Sequence, residues 1–126
     1  MQSFVWHVLS NPQIHQRLVD ELLASELSEI VQFKEAQSLR YFQACFKEAM
    51  RLQPAVGFNI TRKVPPGGAE INGTWLPGGT QVAVNAWVMH REEIFGSYPD
   101  SFKPERWLDI SEDQVKAMER CMFQVR

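Results

Sequence analysis

The stretch from Leu39 to Pro54, LRYFQACFKEAMRLQP, limits what this chain can fold into more than any other. Leu39, Phe42, Phe46, Ala49 and Met50 recur at helical spacing and give an amphipathic helix one apolar face. Pro54 ends the run, and Ser38 is the expected N-cap, its hydroxyl accepting from an amide of the first turn. At about 3.6 residues per turn, Arg40, Gln43 and Lys47 share the solvent side, while Glu48 falls opposite them among Tyr41, Cys45 and Leu52. Such a helix is expected to be covered on two sides.

Glu48 and Arg51 lie three residues apart and can meet on one flank of this helix. Two readings are open. An exposed helical ion pair is the commoner case by spacing alone and contributes about 0.2–0.5 kcal/mol. The helical wheel favours the other, a buried carboxylate, which must be paired and hydrogen-bonded because a buried unpaired charge costs several kcal/mol. A second cation from elsewhere in the chain would complete such a site.

At 126 residues the chain can bury one core. With 44% hydrophobic and 22% charged residues and a formal net charge of -2, its composition indicates neither a disordered chain nor a nucleic-acid-binding surface. Cys45 and Cys121 make neither a disulfide framework nor a metal motif, which implies a reducing compartment. His7, His15 and His90 form no ligand pattern and are read as surface or structural. The opening MQSFVWHVLSNP is too short to span a bilayer and lacks the marks of a signal peptide, so no membrane segment is expected in this chain.

Phe4, Val5, Val8 and Leu9 fall at helical spacing with no capping signal before them, and are expected to be the last turns of a helix that begins before the chain does. Ser10-Asn11-Pro12 restarts the helix, with Gln13 placed to complete a capping box from Ser10 and Ile14, Leu18 and Leu22 as the buried stripe up to about Ala24. Ser25 to Gln37 reads as a loop with a helical turn around Phe33 to Ala36. Beyond Pro54, strands are expected over Val56 to Thr61, Ala69 to Ile71, Thr74 to Leu76 and Thr80 to Val84, with Asn72-Gly73 as a hairpin turn. These make a small antiparallel sheet. Ala86 to Glu92 reads as a helical turn or two, IFGSYPDSFKPERWLDIS as an irregular loop, and Asp113 to Arg120 as a last helical turn without a closing cap. The class is α+β, mainly helical, in one partial domain over residues 1–126.

Glu48-Ala49-Met50-Arg51, then VPPGGAEINGTWLPGGTQV, then HREEIFGSYPDSFKPERWL, in this order, closely resemble the cytochrome P-450 family of haem-thiolate monooxygenases, in its filamentous-fungal branch. Glu-x-x-Arg alone is a weak signal, but the ordered set is strong, and the resemblance runs from Ser10-Asn11-Pro12 to Phe123. It implies a piece of the P-450 fold: the end of the long helix, two further helices, the small sheet and the irregular meander loop. It also implies that Arg106, of Pro104-Glu105-Arg106-Trp107, completes a structural triad with Glu48 and Arg51, a role that is architectural rather than catalytic. The plainer reading of Arg106 is a solvated loop charge. Val56, Gly57 and Phe58 correspond to a substrate-contacting strand, or else Val56 and Phe58 are strand core. Arg62 corresponds to a donor to a haem propionate, or else is a surface arginine.

The resemblance places the axial cysteine in a Phe-x-x-Gly-x-Arg-x-Cys-x-Gly loop beyond Phe123. No such motif precedes Cys121, so no metal ligand is expected among these residues, and Cys45 and Cys121 are read as packed or idle thiols. The oxygen-activating acidic-threonine segment would lie before Phe4. The implied parent is a haem enzyme of the endoplasmic reticulum membrane that uses a reductase and a small organic substrate. This chain alone is expected to bind no haem stably and to have no monooxygenase activity. The alternative is a non-catalytic remnant acting as a protein-association module. An unrelated small α+β binding domain is disfavoured by the ordered motifs.

Overall fold

The computed structural model describes Gln2 to Met122. The helix over Arg40–Leu52, here α4, sits between two apolar clusters and belongs to both. On one side α1 (Gln2–Leu9) and α2 (Pro12–Ala24) bring Val8 and Leu18 against Tyr41 and Cys45. On the other, Ala44 meets Phe95 and Trp107 of the irregular loop and Met118 and Met122 at the far end of the chain. Full burial of a side chain such as Phe95 or Met118 contributes roughly 1.5–3 kcal/mol, so this second cluster holds the loop down without regular structure of its own.

The sealed face of α4 carries Tyr41, Ala44, Cys45, Glu48, Ala49, Arg51 and Leu52. The apolar face expected from spacing is less covered. Leu39 and Ala49 are buried, Phe42 and Met50 half-buried, and Phe46 is exposed, because its ring packs mainly on its neighbour Phe42 and on Phe4 at a centroid distance of 6.1 Å. In α2, Leu18 is buried, Ile14 half-buried and Leu22 exposed.

Both expected caps are corrected. Ser38 is the last residue of α3 (Phe33–Ser38), and its hydroxyl donates back to the Glu35 carbonyl; only Leu39 separates α3 from α4, so Leu39 takes the N-cap position without a side-chain bond. The cap comes instead from Glu21 of α2, whose carboxylate accepts from the amides of Tyr41 at 2.7 Å and Phe42 at 2.8 Å. An anion there answers both the unpaired amides and the positive end of the helix dipole. At α2 no Ser10 capping box forms: the N-cap is Asn11, whose amide side chain donates back to the His7 carbonyl at 2.6 Å and closes α1.

The β-structure is two antiparallel pairs. β1 (Asn59–Lys63) pairs with β4 (Gln81–Asn85), and between them β2 (Ala69–Ile71) and β3 (Thr74–Leu76) form a hairpin. Its turn residues Asn72 and Gly73 have φ of 50° and 74°, the left-handed pair that a two-residue turn requires. The first strand starts later than expected and leaves Val56, Gly57 and Phe58 in coil. The partner explains this: Asn85, opposite Asn59, is already the N-cap of α5 (Ala86–Met89), accepting from Val88, so nothing remains for earlier residues to pair with. The last helix, α6 (Glu112–Cys121), is longer than expected because Ser111 caps it through the Gln114 amide. Phe123, to which the sequence resemblance extends, lies outside the described residues. Among those residues no helix is long and apolar enough to cross a membrane.

Replacing Glu21 by Ala removes the cap that α2 lends to α4. A loss of about 1–2 kcal/mol in urea unfolding is expected. An unchanged midpoint would mean the two hydrogen bonds contribute nothing.

Candidate functional site

The buried charges lie where α4 meets the irregular loop. Glu48 and Arg51 are both fully buried, and Arg51 grips the carboxylate with two prongs, Nε to Oε2 at 2.9 Å and Nη2 to Oε1 at 2.8 Å. Arg106, from the 3-10 turn Pro104–Trp107, adds its Nε to Oε1 at 3.1 Å. The structure therefore brings Glu48, Arg51 and Arg106 together. The loop contributes two more donors, the Lys103 amide to Oε1 at 3.1 Å and the Trp107 indole N–H to Oε2 at 2.9 Å.

Both arginines also bind backbone. Arg51 donates to the His90 carbonyl at 2.8 Å, and the His90 ring meets the Arg51 carbonyl at 3.0 Å through Nδ1. Arg106 donates to the carbonyls of Phe95, Ser97 and Tyr98. Gly96, at φ 77°, lies under the Arg106 guanidinium, and Tyr98, at φ 56°, accepts a left-handed conformation costing about 1–2 kcal/mol while its carbonyl receives Nη2. The loop thus has no sheet or helix to satisfy these carbonyls and uses an arginine instead. Arg91 closes the far end of α4 by donating to the Leu52 carbonyl, with its guanidinium over the Trp87 ring and 2.7 Å from Asp100.

Burial alone would raise the Glu48 carboxyl; the hydrogen bonds and charge of Arg51, the Trp107 bond and the charge of Arg106 overcome it and hold the group below the usual carboxylate range. His90 is held below its ordinary value, first by burial and then by the charges of Arg51 and Arg91. Of the histidines read as surface or structural, His90 is fully buried, His7 stacks on Phe102 at 4.5 Å and His15 is exposed.

The triad expected from the sequence includes neither the Trp107 indole nor the Lys103 amide. A tryptophan directly after Arg106 is the available signal, since a buried indole N–H needs an acceptor. The remaining sequence-derived positions do not join this centre. Phe58 is 72% exposed in the coil between α4 and β1, with Val56 half-buried and Gly57 exposed beside it. Arg62 stands exposed on β1, with one Nη1 bond to the Thr61 carbonyl at 2.9 Å.

Haem chemistry can be tested against these side chains. The free prongs of the Arg62 fork suit a carboxylate such as a propionate. Cys45 does not suit the iron. It is sealed among Val8, Leu18 and Tyr41, and burial pushes its thiol up to about 12, far from the thiolate a metal needs. Among the described residues no group of His, Cys, Asp and Glu is arranged to hold a metal ion.

A family model described as cytochrome P450 matches residues 1–122. The chain is 46% identical over 115 residues to the cytochrome P450 monooxygenase hepC of Aspergillus oryzae, covering 87% of this chain and 23% of that protein. It is 41% identical over 110 residues to a pisatin demethylase of Fusarium vanettenii, covering 86% of this chain and 22% of the relative. A zebra fish cytochrome P450 solved with progesterone superposes with a TM-score of 0.72 at 26% identity, over 85% of this chain and 26% of that one. The chain therefore spans about a quarter of the length of such relatives.

Glu48 and His90 both have folded values below their unfolded ones, so each adds stability that is fully present above the unfolded value and is lost as the pH falls through the folded value. Acid unfolding is expected in two stages, beginning below the ordinary histidine value of 6.5 and steepening below the ordinary carboxyl value of 4.5. Glu48→Gln, which strands two buried guanidinium groups, should cost about 3–5 kcal/mol at neutral pH and weaken the steeper stage, to which Glu35 also contributes. A Glu48→Gln variant with the same acid profile as the parent chain would contradict this assignment.

Proposed function

The chain belongs to the cytochrome P450 family, and on that premise we propose that it is part of a haem-dependent monooxygenase, an oxidoreductase that places one oxygen atom from O2 into an organic substrate. The observation that carries this reading is the Glu48 centre, where one buried carboxylate fastens α4 to the irregular loop through Arg51 and Arg106. In this role the three residues are architectural. Every polar atom of the centre is turned inward to another protein group, and none is presented to a substrate.

Haem, when bound in the whole enzyme, supplies the activation of dioxygen with electrons delivered by a reductase. What these residues add is support. Arg62 would hold a propionate through its exposed guanidinium, from its place on the strand paired with β4. Val56, Gly57 and Phe58 line the substrate side of the pocket; in favour of this, Phe58 has no core of its own to fill. In support of an architectural rather than catalytic role for these residues, no group of His, Cys, Asp and Glu among the described residues is arranged to hold a metal ion, and on this reading residues 2–122 alone are expected neither to retain haem nor to turn over. The whole enzyme works at the endoplasmic reticulum membrane.

A second reading, a non-catalytic association module, is favoured by one observation: Trp6, Leu9, Leu23, Ile30 and Phe33 are each more than half exposed. Self-association of the purified chain that rises with concentration would support it.

In a haem-loaded monooxygenase carrying this segment, Arg62→Ala should release haem on gel filtration while the fold persists; full haem occupancy would remove Arg62 from the site. Arg106→Ala should lower stability by about 3–5 kcal/mol and leave turnover per bound haem unchanged. Unchanged thermal stability would refute the architectural role.

A further inference from the structure

Of the four tryptophans, Trp6, Trp75 and Trp87 are 64%, 63% and 45% exposed, whereas Trp107 is buried at 7%. Two neighbours hold its ring. Phe95 packs against it at a centroid distance of 6.1 Å, and the Lys47 ammonium, itself 2.8 Å from Glu119, lies 5.6 Å over its face. The indole therefore has a fixed orientation, and its N–H points at Glu48 Oε2.

The donors divide unequally between the two carboxylate oxygens. Oε1 receives Arg51 Nη2, Arg106 Nε and the Lys103 amide, while Oε2 receives only Arg51 Nε and Trp107 Nε1. The last torsion of a glutamate is soft, so the plane of the carboxylate is set by the donors that hold its two oxygens. Turning would break the two-pronged contact with Arg51, whose planar fork demands both oxygens in its own plane. From outside α4, Oε1 is held by Arg106 and Lys103, whereas Oε2 is held among the described residues by Trp107 alone.

We propose that Trp107 is a positioning residue for the Glu48 carboxylate: its indole N–H fixes Oε2, and with it the plane in which Arg51 and Arg106 are held. A phenylalanine would fill the same space between α4 and α6 and leave Oε2 with one donor. The inference stands on the surroundings of Glu48 and is independent of the monooxygenase reading.

The charged and titratable groups around Glu48 are Arg51 on its own helix, Arg106 from the loop, His7 on α1, His90 against Arg51, and Lys47 above the indole. Trp107→Phe leaves all of them in place. The test is urea unfolding of the full chain and of Trp107→Phe across a pH series. The stability difference should be largest near neutral pH and shrink several-fold once Glu48 takes up its proton, because a neutral carboxyl needs the indole far less. A difference that is the same at every pH would reduce Trp107 to bulk and overturn the proposal. Should the variant fail to fold, a second measurement decides: the chain with Trp6, Trp75 and Trp87 replaced by Phe keeps one indole N–H. At neutral pH its resonance should be displaced downfield and exchange slowly with water; a resonance at the position of a free indole overturns the proposal.

Discussion

A carboxylate with no access to water governs this structure. Glu48 is tolerable inside the fold only because positive charge and N–H donors surround it, and most of them come from residues far away in sequence: Arg106 lies 58 positions on and Trp107 59. A helix that carries such a group cannot be completed by local contacts. Until the loop arrives, α4 presents a desolvation cost rather than a finished core, and the loop, without regular hydrogen bonding of its own, has nothing else to hold it. Each element is the condition for the other.

The same economy recurs at both ends of α4. Its first turn borrows an anion from α2, and its last carbonyls are met by the His90 ring at Arg51 and by Arg91 at Leu52. Charged side chains from neighbouring segments thus do the work that Ser, Gly or Asn would do in a free-standing helix. This ties the ends of the helix to tertiary contacts, so α4 has little helical stability of its own to fall back on.

What could be read from the residues depended on how local the cause was. The turn at Asn72-Gly73 and the stop at Pro54 follow from backbone preferences of one or two residues, and the placement of Glu48 among Tyr41, Cys45 and Leu52 follows from helix geometry. Arg106 as a partner was legible only through the resemblance to a family, since no spacing rule joins residues so far apart. Glu21 as a cap and the Lys103 amide as a donor leave no pattern at all. The late start of β1 was hidden because its limit is set by what Asn85 does on the opposite strand. The half-exposed Phe42 and Phe46 show the reverse case, where helical spacing marks a face as apolar and the neighbours available to it decide how much is covered.

The pairing of β1 with β4 has an effect on what the chain can vary. Lys63 stands opposite Gln81 and the buried Val64 still bonds to Gly79 and Thr80, so the chain beyond Val64 is an excursion that returns to the same point. Because the ladder has already closed that loop, doubling its length would add only about 0.6 kcal/mol of entropy cost. The hairpin is therefore a place where length and surface can drift between relatives while the machinery around α4 stays in register.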